Sequence, residues 1–399
     1  MNRYLLAGSA AVALALGAGA ANAQAKFDVK VGGDFYFEGG YVDQDLDTGL
    51  RSTEFTNRMR INIIPSAKAD NGLEYGARLR FRAASGQNNG RTTDADRAYL
   101  FAQGTFGQVR LGVQNSFNDE TYVTAPQDYL PLGIYDGVTS YLNLNTDIAA
   151  NTSGNTLPGP AQINGSLIGQ SLVVEKNATK IVYFSPRFAG LQLGASYLPR
   201  NDSSHTDVNR AKVTGTVAGQ FNTTFQDLVE VGANYNNTFG GVSVKASAGY
   251  FWGQAADNVT VAGVSSNYKD LNAWQVGAQL GYAGFSVGGS YVDYGKSGQN
   301  ERAGYFTENT RSWVVGVQYT TGPIVVGANY KNGKDAGSLA VAGERELQVY
   351  EIGVGYTVAP GLTLQAQYDY FKADSDLSTA AVDRDDKGNV VILRSVLAF

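Results

Sequence analysis

Apolar and polar side chains alternate with a period of two residues along much of the chain. The stretches 27–38, 242–252, 274–282 and 362–370 each place Val, Leu, Ala, Phe, Tyr or Trp on one face and mainly Gly, Ser, Gln or charged residues on the other. A period of two is the period of a β-strand, because successive side chains point to opposite faces of a sheet. The pattern predicts an all-β protein whose strands have one apolar and one polar face.

Short turn sequences separate the alternating segments at seven places. Gly and Asn supply the positive φ that tight hairpins need, and Pro stiffens them. Seven hairpins contain 14 strands, and one further strand at each end, at 26–41 and 389–399, brings the predicted total to 16. The seven turns lie at 69–72, 105–107, 187–190, 239–241, 283–284, 321–323 and 359–361.

The other eight connections are longer and polar. Short turns that alternate with long loops are typical of outer-membrane barrels, in which the turns face the periplasm and the loops face outside. A closed barrel satisfies every backbone polar group in lipid, and a barrel of 16 strands encloses an aqueous channel. We therefore predict a 16-stranded antiparallel transmembrane β-barrel. The long loops lie at 43–52, 84–93, 116–177, 200–223, 253–269, 296–305, 332–344 and 373–387.

The N-terminus has the pattern of a secretory signal peptide. Arg3 precedes an apolar stretch at 5–20, and Ala21-Asn22-Ala23 is a small-residue cleavage site. We expect cleavage after Ala23, so that residues 1–23 are the signal and residues 24–399 form the barrel. The chain has no cysteine, so its stability in an oxidising compartment does not come from disulfides. A net charge of −5 argues against a nucleic-acid partner.

Arginine is concentrated in the early strands. Alternation puts the arginines of the second strand on one face, and those of the third strand on one face. An arginine on the lipid side costs about 2–4 kcal/mol at mid-membrane, so these rows are predicted to point into the lumen. The alternative is a position at a subunit interface, packed against acids. The predicted basic wall of the pore comprises Arg58, Arg60, Arg78, Arg80, Arg82, Arg97 and Arg110. The pattern leaves the face of Arg97 open.

Two short segments and the chain end carry a family resemblance. The segment 183–191 leading into 194–197, the turn 104–107 before 109–112, and the terminal Phe399 resemble the general diffusion porins, particularly their alphaproteobacterial branch. The resemblance implies a homotrimer and a loop after strand 5 that folds into the lumen as a constriction. It also implies that the outer-membrane assembly machinery reads Phe399, and that the Phe399 carboxylate pairs with Lys26.

Acidic residues in the loop at 116–177 are the predicted counterpart of the arginines. Facing guanidiniums and carboxylates would create a transverse field at the narrowest point, which would orient dipolar solutes and tune ion preference. The alternative for these acids is an ordinary solvated loop. The candidates are Asp119, Glu120, Asp128 and Asp136.

These observations predict an outer-membrane general diffusion porin, which passively transports small hydrophilic solutes and ions and contacts membrane lipids and lipopolysaccharide. One alternative is a substrate-specific channel for sugars or anions, which an aromatic track in the lumen would support; Phe251 and Phe371 are scattered candidates for it. Another is a barrel used as an enzyme or an adhesin.

No sequence motif predicts catalysis or a cofactor. The chain carries one histidine, His205, in a predicted loop, and it lacks nucleotide-binding and zinc-binding spacings. Acidic residues in the loop at 43–54 follow EF-hand spacing, but Thr48 stands where the turn needs glycine. A loop-bound Ca²⁺ is the one metal that the sequence leaves open.

Overall fold

Sixteen strands of the computed structural model close into one antiparallel barrel, in which each strand pairs with the next and β1 pairs with β18. The structure describes residues 26–46, 50–84, 92–130, 141, 174, 178–213, 221–222, 224–255, 259–261, 264–302, 304–339, 341–376 and 385–399. The barrel strands are β1 (Asp28–Gln44), β2 (Thr53–Lys68), β3 (Glu74–Ala84), β4 (Thr92–Gly104), β5 (Gly107–Val113), β6 (Thr179–Phe184), β7 (Leu191–Arg200), β8 (Gln226–Phe239), β9 (Val242–Gln254), β12 (Leu271–Tyr282), β13 (Phe285–Gly295), β14 (Thr310–Thr321), β15 (Ile324–Asp335), β16 (Arg345–Ala359), β17 (Leu362–Ser375) and β18 (Asp386–Ala398).

The barrel confirms the strand number and the alternation of turns that the sequence predicts. All seven predicted tight turns join neighbouring strands, and each contains a glycine with positive φ, such as Gly72 and Gly241. The strand ends from which the long connections start lie at the opposite end of the barrel. The signal-peptide prediction lies outside the described residues.

Two short elements inside predicted loops were not anticipated. Between β9 and β12, β10 (Val259–Val261) and β11 (Val264–Ser266) form a separate hairpin, and their three-residue length is too short to give a periodic signal. After β5, the helix α1 (Phe117–Thr121) begins at the N-cap Ser116, whose side chain accepts a hydrogen bond from the Asp119 backbone. No helix in the described part of the chain is long and apolar enough to cross a membrane.

The apolar face of the strands points outward. On β1, Phe35 and Phe37 are exposed on the outside, whereas Tyr36 between them is buried on the inside. Aromatic rings form a continuous row around the outer surface, with neighbouring ring centroids 4.7–6.1 Å apart from strand β14 to β17. Such a row is the interfacial girdle of a membrane barrel. The row contains Trp313, Tyr330, Tyr350 and Tyr370.

Candidate pore constriction

The inner faces of β2 to β5 carry seven arginines, which we call the arginine wall. Strand pairing places Arg60 opposite Arg82, and Arg80 opposite Arg97. These side chains are partly buried, and several of their guanidinium groups contact residues on adjacent strands. The wall comprises Arg58, Arg60, Arg78, Arg80, Arg82, Arg97 and Arg110.

Carboxylates on the strands themselves pair with several of these arginines. Asp96 on β4 is 2% exposed and accepts two hydrogen bonds from Arg80, at 2.7 and 2.6 Å. Arg82 lies 3.1 Å from Asp94 and 3.5 Å from Asp96. On the neighbouring strand, Asp34 lies 2.8 Å from Arg58. The sequence prediction placed the anionic partners in the loop and missed the acids on the strands. Asp94 and Asp96 are two positions apart, which is the spacing of side chains on one face of a strand.

A β-bulge explains why the sequence left the face of Arg97 open. The register of β3 and β4 shifts between Arg80 and Phe81, so that the extra residue on β4 is Asp96. A bulge allows two consecutive side chains to point to the same side. Asp96 thus reaches Arg80, while Arg97 on the same inner side hydrogen-bonds Asn115.

Arg110 connects the arginine wall to the loop that follows β5. Its guanidinium lies 4.4 Å from the centroid of the Phe184 ring and 5.4 Å from that of Tyr99, distances typical of cation–π contacts. From α1, Glu120 approaches to 3.4 Å. Among the described residues, this is the ion pair that joins the loop to the arginine wall.

The segment 114–130, which we call the inner loop, runs along the opposite inner wall. Its backbone donates hydrogen bonds to Ser196 on β7, Glu230 on β8 and Ser247 on β9. Further along, Thr124 hydrogen-bonds Ser290 on β13. The described part of the loop after strand 5 is therefore folded inside the barrel, where it is held on β7, β8, β9 and β13.

Inward-facing glycines leave the space that the inner loop occupies, which we call the seat of the inner loop. The Phe117 ring lies where a side chain on Gly194 would be, and the Val123 carbonyl lies where one on Gly277 would be. A Cβ on Gly353 would lie 2.7 Å from the ring of Tyr129. The glycines on which an added Cβ would overlap residues 117–141 are Gly40, Gly194, Gly232, Gly249, Gly277, Gly327 and Gly353. We call the inner faces of β7–β9 and β12–β16, which hold most of them, the loop-bearing wall.

Tyr129 anchors the inner loop to a buried polar network. Its hydroxyl donates to Glu351 at 3.3 Å and accepts from Asn329. Glu351 also pairs with Lys331, at 2.5 Å, and neither side chain is exposed. Burial, reinforced by the charge of Glu351, raises the pKa of the Tyr129 phenol, so the hydroxyl remains a proton donor.

The predicted loop acids are dispersed rather than gathered in one row. Glu120 faces Arg110, whereas Asp128 lies on the loop-bearing wall, where it exchanges two hydrogen bonds with Gln318 at 2.7 and 2.8 Å. Asp119 lies in the first turn of α1. Asp136 lies outside the described residues.

Apolar side chains on the inner face cluster beneath the long connections. Phe251 packs with Leu228, Leu271 and Tyr294, and Phe371 packs in a second cluster on β16 to β18. Both phenylalanines are fully buried. They are therefore covered, and they do not form the aromatic track that a sugar-specific channel would need.

An open cavity of about 520 Å³ lies at the turn end of the lumen, between the arginine wall and α1. Its lining is polar and charged, with Arg110 and Glu120 at its inner side. The charged side chains around it are Lys68, Glu74, Arg110, Glu120 and Arg187.

The chain end closes the barrel seam. The Phe399 backbone exchanges two hydrogen bonds with Gly33, at 2.8 and 3.0 Å. The expected pairing of its carboxylate with Lys26 is not found among the described residues. The reason is register: Ala398 pairs with Asp34, so β1 extends beyond the chain end and carries Lys26 away from it.

Metal-ligand geometry is absent from the described part of the chain, where no three His, Asp or Glu side chains gather to hold an ion. In the acidic loop near β2, Glu54 is ion-paired with Arg51. Asp47 lies outside the described residues.

Comparison of sequences identifies a matching family. The family model described as Gram-negative porin matches residues 10–376. An uncharacterized protein of Rickettsia conorii is 23% identical over 433 residues, which cover 93% of this chain and 93% of that protein.

Comparison of structures finds the same barrel in solved proteins. A mutant of the Rhodopseudomonas blastica porin has a TM-score of 0.55 at 17% identity and covers 93% of this chain and 100% of its own. OmpT, described as an outer membrane protein of Vibrio cholerae in its trimer form, has a TM-score of 0.58 at 14% identity, covering 94% of this chain and 99% of its own.

Proposed function

Because the chain belongs to the Gram-negative porins, we propose that it forms a homotrimeric general diffusion channel for small hydrophilic solutes and ions. The family and the fold make it an outer-membrane porin channel. The observation that carries the finer proposal is the arrangement of the lumen: a loop is seated on one inner wall, and the opposite wall is lined with arginines. No step of chemistry is required, since a solute crosses by diffusion.

The arginine wall and the inner loop form the constriction in this proposal. Arg58, Arg60, Arg78, Arg80, Arg82, Arg97 and Arg110 supply its basic side, and Glu120 its nearest acid, with Asp119, Asp128 and Asp136 further along the loop. A field across the narrowest point orders dipolar solutes and raises the barrier for bulky apolar ones.

Export and assembly complete the proposal. The signal peptide is cleaved after Ala23, and the assembly machinery reads Phe399, which is 65% exposed at the end of β18. The short turns face the periplasm, and the long loops face outside, where acidic positions contact lipopolysaccharide and share its cations. A trimeric relative of similar fold supports the homotrimer.

Conductance in planar bilayers tests this function. The purified mature protein should insert in steps and conduct in proportion to the conductivity of the bathing salt, as a water-filled pore does. Complete insertion without current would refute the channel, and current that one sugar blocks saturably would favour the substrate-specific alternative. The buried positions of Phe251 and Phe371 weigh against the sugar channel.

A further inference from the structure

Arg60 and Arg78 of the arginine wall have no carboxylate within ion-pairing distance among the described residues. Arg78 donates to the neutral side-chain oxygen of Asn62, at 3.0 and 2.9 Å. Arg60 makes no ion pair, and its Nε atom is buried without a hydrogen-bond partner. In contrast, Arg80 and Arg110 each face a carboxylate.

These two guanidiniums share one patch of the inner wall. Arg60 lies on β2 two residues from Asn62, which is the partner of Arg78 on β3. Both arginines are partly exposed, so an ion in the lumen can reach them. A guanidinium without a direct carboxylate partner is a binding site for an anion, because its N–H donors match oxyanion geometry.

The inner loop has no acid that forms an ion pair with Arg60 or Arg78 among the described residues. Its acid Glu120 is directed to Arg110, and its acid Asp128 is held by Gln318 on the loop-bearing wall. The ion pairs of the arginine wall with described residues involve four carboxylates against seven arginines: Asp34, Asp94, Asp96 and Glu120.

The cavity at the turn end continues the excess of positive charge. Lys68, Arg110 and Arg187 line it against Glu74 and Glu120. Glu74 is occupied by a hydrogen bond from Gln103, at 2.8 Å, and Glu120 by Arg110.

We infer that the channel prefers small anions, and that Arg60 and Arg78 are the residues that set this preference. Fixed positive charge in a narrow aqueous lumen raises the local concentration of anions and lowers that of cations. The inference rests on the proposed channel function and adds its substrate class: chloride and small oxyanions, including carboxylates and phosphate.

The reversal potential across a planar bilayer with a KCl gradient tests the preference. The wild-type channel should reverse towards the chloride equilibrium potential. In the Arg60→Gln/Arg78→Gln variant, the anion-to-cation permeability ratio should fall at least about fivefold, because a single unit charge at contact distance in water already changes the local concentration of an ion by that factor. The Arg60→Lys/Arg78→Lys variant keeps the charge and should keep the preference.

A matched control removes two arginines outside the lumen. Arg51 and Arg302 are exposed in long connections, so Arg51→Gln/Arg302→Gln should leave the ratio unchanged. A cation-selective wild type, or a glutamine variant with the wild-type ratio, would overturn the inference while the channel function stands. If folded protein inserts and no current flows, the channel function fails, and the inference fails with it. If the glutamine variant does not fold, the sign of the wild-type potential and the lysine variant still decide.

Discussion

The two inner walls of the barrel differ in how they are packed. The loop-bearing wall uses glycines, serines and buried apolar side chains to accept a second layer of chain, and several of its polar side chains hydrogen-bond that layer. The arginine wall contacts the described part of that layer through Arg97 and Arg110, and it presents long charged side chains that pair with acids on the adjacent strands.

The difference shows how a porin can place a permeation path off centre. Glycine removes volume on one side, so the described part of the loop lies close to the strands, and arginine lines the other side with charge. Substitutions that add volume to the loop-bearing wall, or that remove charge from the arginine wall, should therefore destabilise the wall that they alter. The expected effects differ in size.

The largest effect is expected from breaking the buried ion pair of the arginine wall. Arg80→Ala should lower the free energy of unfolding by about 3 kcal/mol, because Asp96 is left as a buried charge. The loss should lie at the low end of the range for buried ion pairs, because Arg82 remains 3.5 Å from Asp96. Urea unfolding of the folded barrel measures it.

The matched control for that pair is a double substitution. Arg80→Ala/Asp96→Ala removes both charges and should recover most of the lost stability. Arg51→Ala, which breaks the exposed pair with Glu54, should cost less than about 0.5 kcal/mol. If the double variant proves less stable than Arg80→Ala, the ion pair is not the cause of the loss.

A smaller effect is expected from filling the seat of the inner loop. Gly277→Ala places a methyl group against the Val123 carbonyl and should cost about 1–3 kcal/mol of loop docking by overpacking. The loop should become cleavable by protease in the folded barrel. On the same face of β12, Gly281→Ala meets the rotatable Ser286 Oγ at 3.2 Å and otherwise makes ordinary van der Waals contacts, so the loop should stay resistant. Equal protease resistance in both variants would show that Gly277 does not provide space for the inner loop.

The smallest effect is expected at the anchor of the loop. Tyr129→Phe keeps the ring but removes the hydroxyl that bonds Glu351 and Asn329, at a cost of about 1 kcal/mol. Single-channel current should become noisier as the loop detaches more often. Tyr282→Phe, on the exposed outer face, is the control. A Tyr129→Phe channel with wild-type current noise would show that packing alone anchors the loop.

Strand number, strand faces and turn positions followed from the sequence because each depends on neighbours in the chain. Alternation of period two tells the outward Phe35 and Phe37 from the inward Tyr36 without knowledge of partners. The helix α1 carried a local signal as well, since Ser116 followed by Asp119 and Glu120 is an N-terminal capping pattern.

The partners of the arginines required three-dimensional information. Asp96 reaches Arg80 because a bulge adds one residue to β4, and bulge position depends on the register between strands rather than on either sequence alone. The split of the loop acids, with Glu120 on one wall and Asp128 on the other, likewise follows from the path of the loop.

By itself, the sequence determined a closed sheet with an apolar outside and a charged inside, because side-chain alternation and turn chemistry act over a few residues. Only the tertiary structure decided which inner wall holds residues 114–130 of the loop. That choice rests on glycines scattered from Gly194 to Gly353, which come together only when the barrel closes.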